Sequence, residues 1–274
     1  MKVGKLAIQK PTFKRLLLLF GTFLVIFLVY VGILLLQNLR ELYAYHRLMN
    51  LPRHQVNLEL IDSAFTHKPH LLNEKDKFGW TAIHWNSVWC RKNVVKVMLK
   101  HGVDVNKRTR RGLTPLHLSM RLSYGDRSRE FINYLIDNGA GLNNQDKYGW
   151  TPLHEAIVEG NKLGVAALVL RGADVNTKNN KGDGSLHVAV LTASIDVIEI
   201  LVNHDKLNIN SKNNNGWTPL HVAAFTGRQD VAEILLENGA EINAKDNSNL
   251  TPLQTASING KERMVQLLSS NGGL

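Results

Sequence analysis

Residues 146–154 read DKYGWTPLH, and the stretch returns five more times in altered form. DKFGWTAIH begins at Asp76, TRRGLTPLH at Thr109, NNKGDGSLH at Asn179, NNNGWTPLH at Asn213 and DNSNLTPLQ at Asp246. Successive starts lie 33, 37, 33, 34 and 33 residues apart. Each unit closes on a second signature: LKHGVDVN, LIDNGAGLN, LVLRGADVN, LVNHDKLNIN and LLENGAEIN, then LLSSNGGL at residues 267–274. Self-similarity at a period of about 20–50 residues is the mark of stacked supersecondary units.

Each unit carries the punctuation of a turn followed by two helices. Gly79, Gly112, Gly149, Gly182 and Gly216 stand where a tight turn needs positive φ. Thr then serves as N-cap, and Pro takes the first helical position, where its missing N–H costs nothing. Small Ala in LHEAI and LHVAA lets neighbouring inner helices approach. A second helix follows, for example Val231–Leu236, and ends at Asn-Gly. One such pair cannot bury its own apolar face, but stacked neighbours form a continuous core.

TPLH is intact at Thr114–His117, Thr151–His154 and Thr218–His221, and the six copies are in phase over residues 73–274. This region resembles the ankyrin-repeat family. The resemblance implies an all-α solenoid with short β-hairpin or turn connections, and a non-catalytic role in binding other proteins. It also implies that the recurrent His holds neighbouring turns together. HKPHLLNEKDKFG (His67–Gly79) looks like the tail of a degenerate capping repeat, with residues 54–65 as its outer helix. Repeat two has four extra residues within RLSYGDRSR (Arg121–Arg129), expected in the loop between its helices. Repeat one has Ala82 for Pro and Cys90 for the usual Gly. Repeat four, GDGSLH, loses both the Thr cap and the Pro. The last repeat has Asn249 for Gly and Gln254 for His, and ends in GGL, as an imperfect terminal cap would.

Ahead of the repeats, a basic flank (1–15) precedes residues 16–36, LLLLFGTFLVIFLVYVGILLL, which carry no charge. As a helix this run would span about 30 Å, the thickness of a bilayer core. It is expected to be a single transmembrane helix. A cleaved signal peptide is the rival, but its apolar region is typically about 7–15 residues with an A-x-A-like exit, and QNLRELYAYH offers none. Lys2, Lys5, Lys10, Lys14 and Arg15 outnumber Arg40, Arg47 and Arg53 on the far side. The denser basic flank tends to stay cytoplasmic, which places the repeats on the non-cytoplasmic side, with the reverse orientation left open by the small margin. Residues 37–72 read as juxtamembrane helices and the capping repeat.

The net charge of +10 is unevenly spread. Residues 73–145 carry 13 Lys/Arg against 6 Asp/Glu, whereas 146–224 carry 7 against 8 and 225–274 carry 4 against 6. The single cysteine, Cys90, excludes an intrachain disulfide. His84, His117, His154, His187 and His221 recur one per repeat. Stacked helices lie about 8–10 Å apart, too far for these histidines to share a zinc ion with ligand bonds of about 2.0–2.1 Å. No nucleophile elbow, phosphate-cradling loop or paired-Cys motif is present. No catalytic residue, metal, cofactor or small-molecule substrate is therefore expected. Arg108, Arg110, Arg111 and Arg121 beside Trp80, Trp89 and Tyr124 raise a nucleic-acid reading. A membrane tether and the lack of a recognition motif weigh against it. A solvated face, or attraction to anionic lipid headgroups, competes with it.

By the resemblance, a partner meets the hairpin tips and the concave face. The tips are Lys77 and Phe78, Arg110 and Arg111, Lys147 and Tyr148, and Asn180 and Lys181. Trp80, Trp150 and Trp217 follow the turn glycine, and Trp89, Arg121 and Phe225 lie at the exposed end of the inner helix. Trp and Arg are frequent interface hot spots. The indoles could equally cover the hairpin base, and both readings stay open. The expectation is a membrane-anchored scaffold whose first two or three repeats bind an acidic protein surface. A secreted, signal-cleaved repeat protein is the alternative.

Overall fold

The chain divides into two compact units, Met1–Val56 and Asn57–Leu274. The computed structural model describes residues 57–76, 78–122 and 125–274, all within the second unit. The expected transmembrane run, its basic flank and residues 37–56 lie outside the described residues, as do Lys77 and Tyr124. Among the described residues no helix is long and apolar enough to cross a membrane.

Thirteen α-helices and one short 3₁₀ turn make up the described array, without a strand among them. Helix α1 (Leu58–His67) and the turn Pro69–Leu72 come first. Six helix pairs follow: α2 (Ala82–Val88) with α3 (Lys92–Lys100), α4 (Pro115–Ser119) with α5 (Asp126–Asp137), and α6 (Pro152–Val158) with α7 (Lys162–Leu170). Then come α8 (Ser185–Thr192) with α9 (Ile195–Val202), α10 (Pro219–Thr226) with α11 (Gln229–Glu237), and α12 (Pro252–Ile258) with α13 (Glu262–Ser270). The even-numbered helices pack on one another in chain order as an inner row. The odd-numbered helices form the outer row, with α1 packed on α3.

The inner helices are short and carry residues small enough to be enclosed on most sides. Leu116, Leu153, Leu186 and Leu220 are buried, as are Ala156, Ala189, Ala223 and Ala256. The outer helices turn one stripe inward, such as Val94, Val95 and Met98 on α3 or Val231, Ala232 and Leu235 on α11. Ile61 and Phe65 bury α1, and the Phe65 ring meets His101 edge-on at 6.0 Å. Asp62 adds contacts to Lys100 Nζ at 3.1 Å and His101 Nε2 at 2.7 Å.

Two expectations need adjusting and one is narrowed. The connections, expected as hairpins or turns, are turns: each finger is closed by two backbone bonds, such as Asp146 N–H to Trp150 O and Gly149 N–H to Asp146 O, with no strand among the described residues. The first residue of the finger shapes it, because Asp146 Oδ1 accepts from Tyr148 N–H at 2.8 Å and Trp150 N–H at 2.9 Å. The helix expected at 54–65 is described from Leu58 to His67, with Asn57 Oδ1 accepting from Leu60 N–H as its cap. The insertion in repeat two is not confined to the loop. α4 has 5 residues and α5 has 12, so part of the extra chain lengthens the outer helix.

Candidate protein-binding face

The recurrent His is the post on which each finger is hung. His154 Nδ1 accepts from Thr151 N–H at 3.2 Å and from its hydroxyl at 2.9 Å. That acceptor role leaves the proton on Nε2, which donates to Asp183 O of the next repeat at 3.3 Å. His84 reaches Lys107 O, His117 reaches Trp150 O, His187 reaches Trp217 O and His221 reaches Leu250 O in the same way. Burial pushes the His84 and His154 imidazoles down to about 4 and lowers those of His117, His187 and His221. In repeat four Gly184 N–H replaces Thr as donor to His187 Nδ1, at 3.3 Å. In the last repeat Gln254 Oε1 accepts from Thr251 N–H at 3.0 Å, and the Thr251 hydroxyl donates to Leu274 O.

A second ladder has no counterpart in the expectations. The last Asn of each closing signature accepts a backbone N–H from the next repeat. Asn106 Oδ1 takes Gly141 N–H, Asn143 takes Asp174, Asn176 takes Asn208, Asn210 takes Glu241 and Asn243 takes Leu274. Together the two ladders fix the fingers relative to one another, so side chains at their tips keep a set spacing.

Exposed at the tips are Phe78, Arg110, Arg111, Lys147, Tyr148, Asn180 and Lys181, with Phe78 57% and Tyr148 56% accessible. Arg111 stands over the Tyr148 ring at 5.3 Å, a cation–π contact between adjacent fingers. Arg110 lies across Gly79 of the preceding finger, where an added Cβ would meet its Cγ at 2.5 Å. Arg121 is half-buried and bonded through Nε to Glu155 Oε1 at 2.8 Å.

The indoles are half-buried. Trp150 packs on His154 at 5.8 Å, and Trp217 packs on Phe225 at 5.3 Å while its Nε1–H reaches Asp246 in the next finger. Trp80 lies 4.6 Å from Trp85, and Trp85 lies 5.9 Å from Trp89. Trp85 was not among the expected site residues. Its Nε1–H donates to Asp76 Oδ2 at 3.1 Å, so the finger and the inner helix of repeat one share one face. Arg91 covers Trp89 at 4.6 Å. Farther along, Val158, Leu191, Phe225 and Ile258 end successive inner helices with 40%, 51%, 43% and 68% exposure. Of the expected site residues, Phe78, Arg110, Arg111 and Tyr148 stand at the tips of the first three fingers and Trp80 and Trp89 belong to repeat one, Arg121 and Trp150 follow in repeats two and three, and Lys181, Trp217 and Phe225 belong to later repeats. Among the described residues no group of three or more His, Cys, Asp or Glu is placed to hold a metal ion.

A family model of ankyrin repeats, three copies long, matches residues 53–146, 110–179 and 164–246, more than half of the chain. The chain belongs to the ankyrin-repeat family. Two ankyrin repeat proteins of Fowlpox virus (strain NVSL) are similar to it. FPV031 is 35% identical over 116 residues, covering 41% of this chain and 33% of the relative. FPV233 is 44% identical over 50 residues, covering 18% of this chain and 10% of the relative. The matches thus span about a third and a tenth of these relatives' lengths. As ankyrin repeats, the six helix pairs are a protein–protein interaction module.

Proposed function

We propose that this protein is a membrane-tethered, non-catalytic scaffold whose first two or three ankyrin repeats hold a partner protein with an acidic surface. The observation that carries the reading is that exposed Phe78, Arg110 and Arg111 and the indole cluster of repeat one all fall within residues 73–145, which carry 13 basic against 6 acidic residues, with Arg111 over the exposed Tyr148 ring of the next finger. Aromatic and arginine side chains dominate interface energetics, and a fixed surface spares the partner much of the ordering cost. The uncharged run 16–36 supports the tether, and its basic N-terminal flank supports exposure of the repeats on the non-cytoplasmic side.

Partner recovery on the full chain, compared with Arg110→Glu/Arg111→Glu, tests the binding reading. Loss of recovery with unchanged far-UV circular dichroism is expected, and equal recovery rejects the site. Arg121→Glu is a poor probe because it would place a carboxylate against Glu155. For the tether, intact and opened membranes are treated with protease. Repeats that are protected in sealed vesicles enclosing the non-cytoplasmic side support the orientation. A mature chain that starts after residue 36 would instead show a cleaved signal.

A further inference from the structure

We infer that Asn249 is an acceptor for N-linked glycosylation, taking one oligosaccharide from a lipid diphosphate donor on the non-cytoplasmic side of the membrane. This rests on the proposed orientation of the repeats and deepens it. Asn249-Leu250-Thr251 has the Asn-x-Thr pattern of a glycosylation acceptor. Nowhere else in the 274 residues does Ser or Thr stand two residues after an Asn without Pro between. The Thr belongs to the repeat, because Thr81, Thr114, Thr151 and Thr218 hold the same cap position. The pattern arises from the Asn, which replaces the turn glycine of the first five fingers.

The fold gives this Asn room that its counterparts lack. At Gly149, Gly182 and Gly216 an added Cβ would meet the backbone N of Asn180, Asn214 and Asn247 in the next finger at 2.7, 2.6 and 2.6 Å. Those turns have no space for a side chain, still less for a glycan. Asn249 is exposed at φ +62. Its N–H donates to Asp246 O at 3.1 Å, and Asp246 Oδ1 accepts from Ser248 N–H at 2.8 Å and Leu250 N–H at 2.9 Å. The finger is thus closed without using the Asn249 amide. Thr251, by contrast, is buried, accepts from Gln254 N–H at 3.3 Å and donates to Leu274 O at 2.6 Å. A transferase that must read both residues therefore acts before the sixth repeat closes. In the step, Asn249 Nδ2 bonds to the anomeric carbon of the donor sugar as the bond from that carbon to the diphosphate oxygen breaks. The lipid diphosphate leaves with the electron pair, and one amide proton passes to a base of the transferase. The glycan, bulky and polar, then sits three fingers beyond Tyr148 and leaves the tips of the first three fingers open to a partner.

The full chain is synthesised in the presence of endoplasmic-reticulum microsomes, which hold the transferase and its lipid-linked oligosaccharide. One upward step in apparent mass is expected. A glycan-releasing amidase should reverse it and leave an aspartate at position 249, read by mass spectrometry of the peptide. Asn249→Gly, which restores the turn glycine of the other fingers, and Asn249→Gln should both abolish the step. Thr251→Ser keeps the cap and the pattern and should retain it. The control for orientation is Lys75→Thr in the Asn249→Gly background, which makes a new acceptor of the exposed Asn73. A step with this control but none with the natural sequence overturns the inference and leaves the orientation standing. A step that survives Asn249→Gly overturns it as well. No step in either chain also overturns it, and protease added outside the microsomes then decides the orientation: if it digests the repeats, both readings fall.

Discussion

Gly216 and Asn249 occupy the same place in successive fingers, both at positive φ, yet they answer to different neighbours. A Cβ at Gly216 would meet Asn247 N of the next finger at 2.6 Å, whereas Asn249 already carries a Cβ at this place. Gly216→Ala therefore combines an unfavourable φ with a clash against backbone. It should destabilise the array by about 2 kcal/mol or more in urea unfolding. Asn249→Gly should be neutral or stabilising, within about 1 kcal/mol. Cys90 is a different kind of exception. It holds φ +49, is buried, and donates weakly to Ser128 Oγ at 3.8 Å, and burial raises its thiol to about 11. Little thiolate exists at neutral pH, so a chromogenic disulfide reagent should leave Cys90 untouched in the native chain and label it quickly in urea. Rapid native labelling would contradict that burial.

The helix pairs are bound to one another by the His and Asn ladders, and the His ladder carries a pH signature. The folded values of His84 and His154 are depressed to about 4 from 6.5, so below 6.5 the unfolded chain binds more protons. Their contribution is fully present above about pH 6.5, and it is lost as pH falls toward the folded value. His117, His187 and His221 act in the same direction. The urea midpoint should therefore drop steadily between about pH 6.5 and 4, and a flat profile would refute the buried neutral imidazoles. His221→Ala, which leaves the buried Thr218 N–H without its acceptor and removes one of the two donors to Leu250 O, should cost about 2 kcal/mol. The His ladder was readable in TPLH because its residues are local and repeated. The Asn ladder uses residues printed in every closing signature, but its bonds join positions about thirty apart, and a signature alone does not say what its last residue grips. The insertion was only partly placed for a similar reason: the loop is longer as expected, but spacing counts residues without saying how many of them a helix absorbs.

On the scale of the molecule, the array joins a basic, indole-rich beginning to a near-neutral remainder. The 33-residue period made the stacking of helix pairs legible before any coordinates. The candidate face was only half legible. Fingertip residues could be placed by register, but Trp85 sits at a position held by Leu118, Glu155, Val188, Val222 and Thr255 in the other repeats. No pattern within the unit marks it, and only the fold brings it against Trp80 and Asp76. Arg121 is the opposite case: its register places it at the end of the inner helix but does not give its bond to Glu155, 34 residues away. The most direct test of the central claim is site-specific photo-cross-linking of the full chain in its native membrane, with a photoreactive residue at Phe78 or, separately, at Leu191. Partner adducts from position 78 that vanish with Arg110→Glu/Arg111→Glu are the predicted result. Adducts from position 191 alone, or adducts at 78 indifferent to the charge reversal, would contradict it.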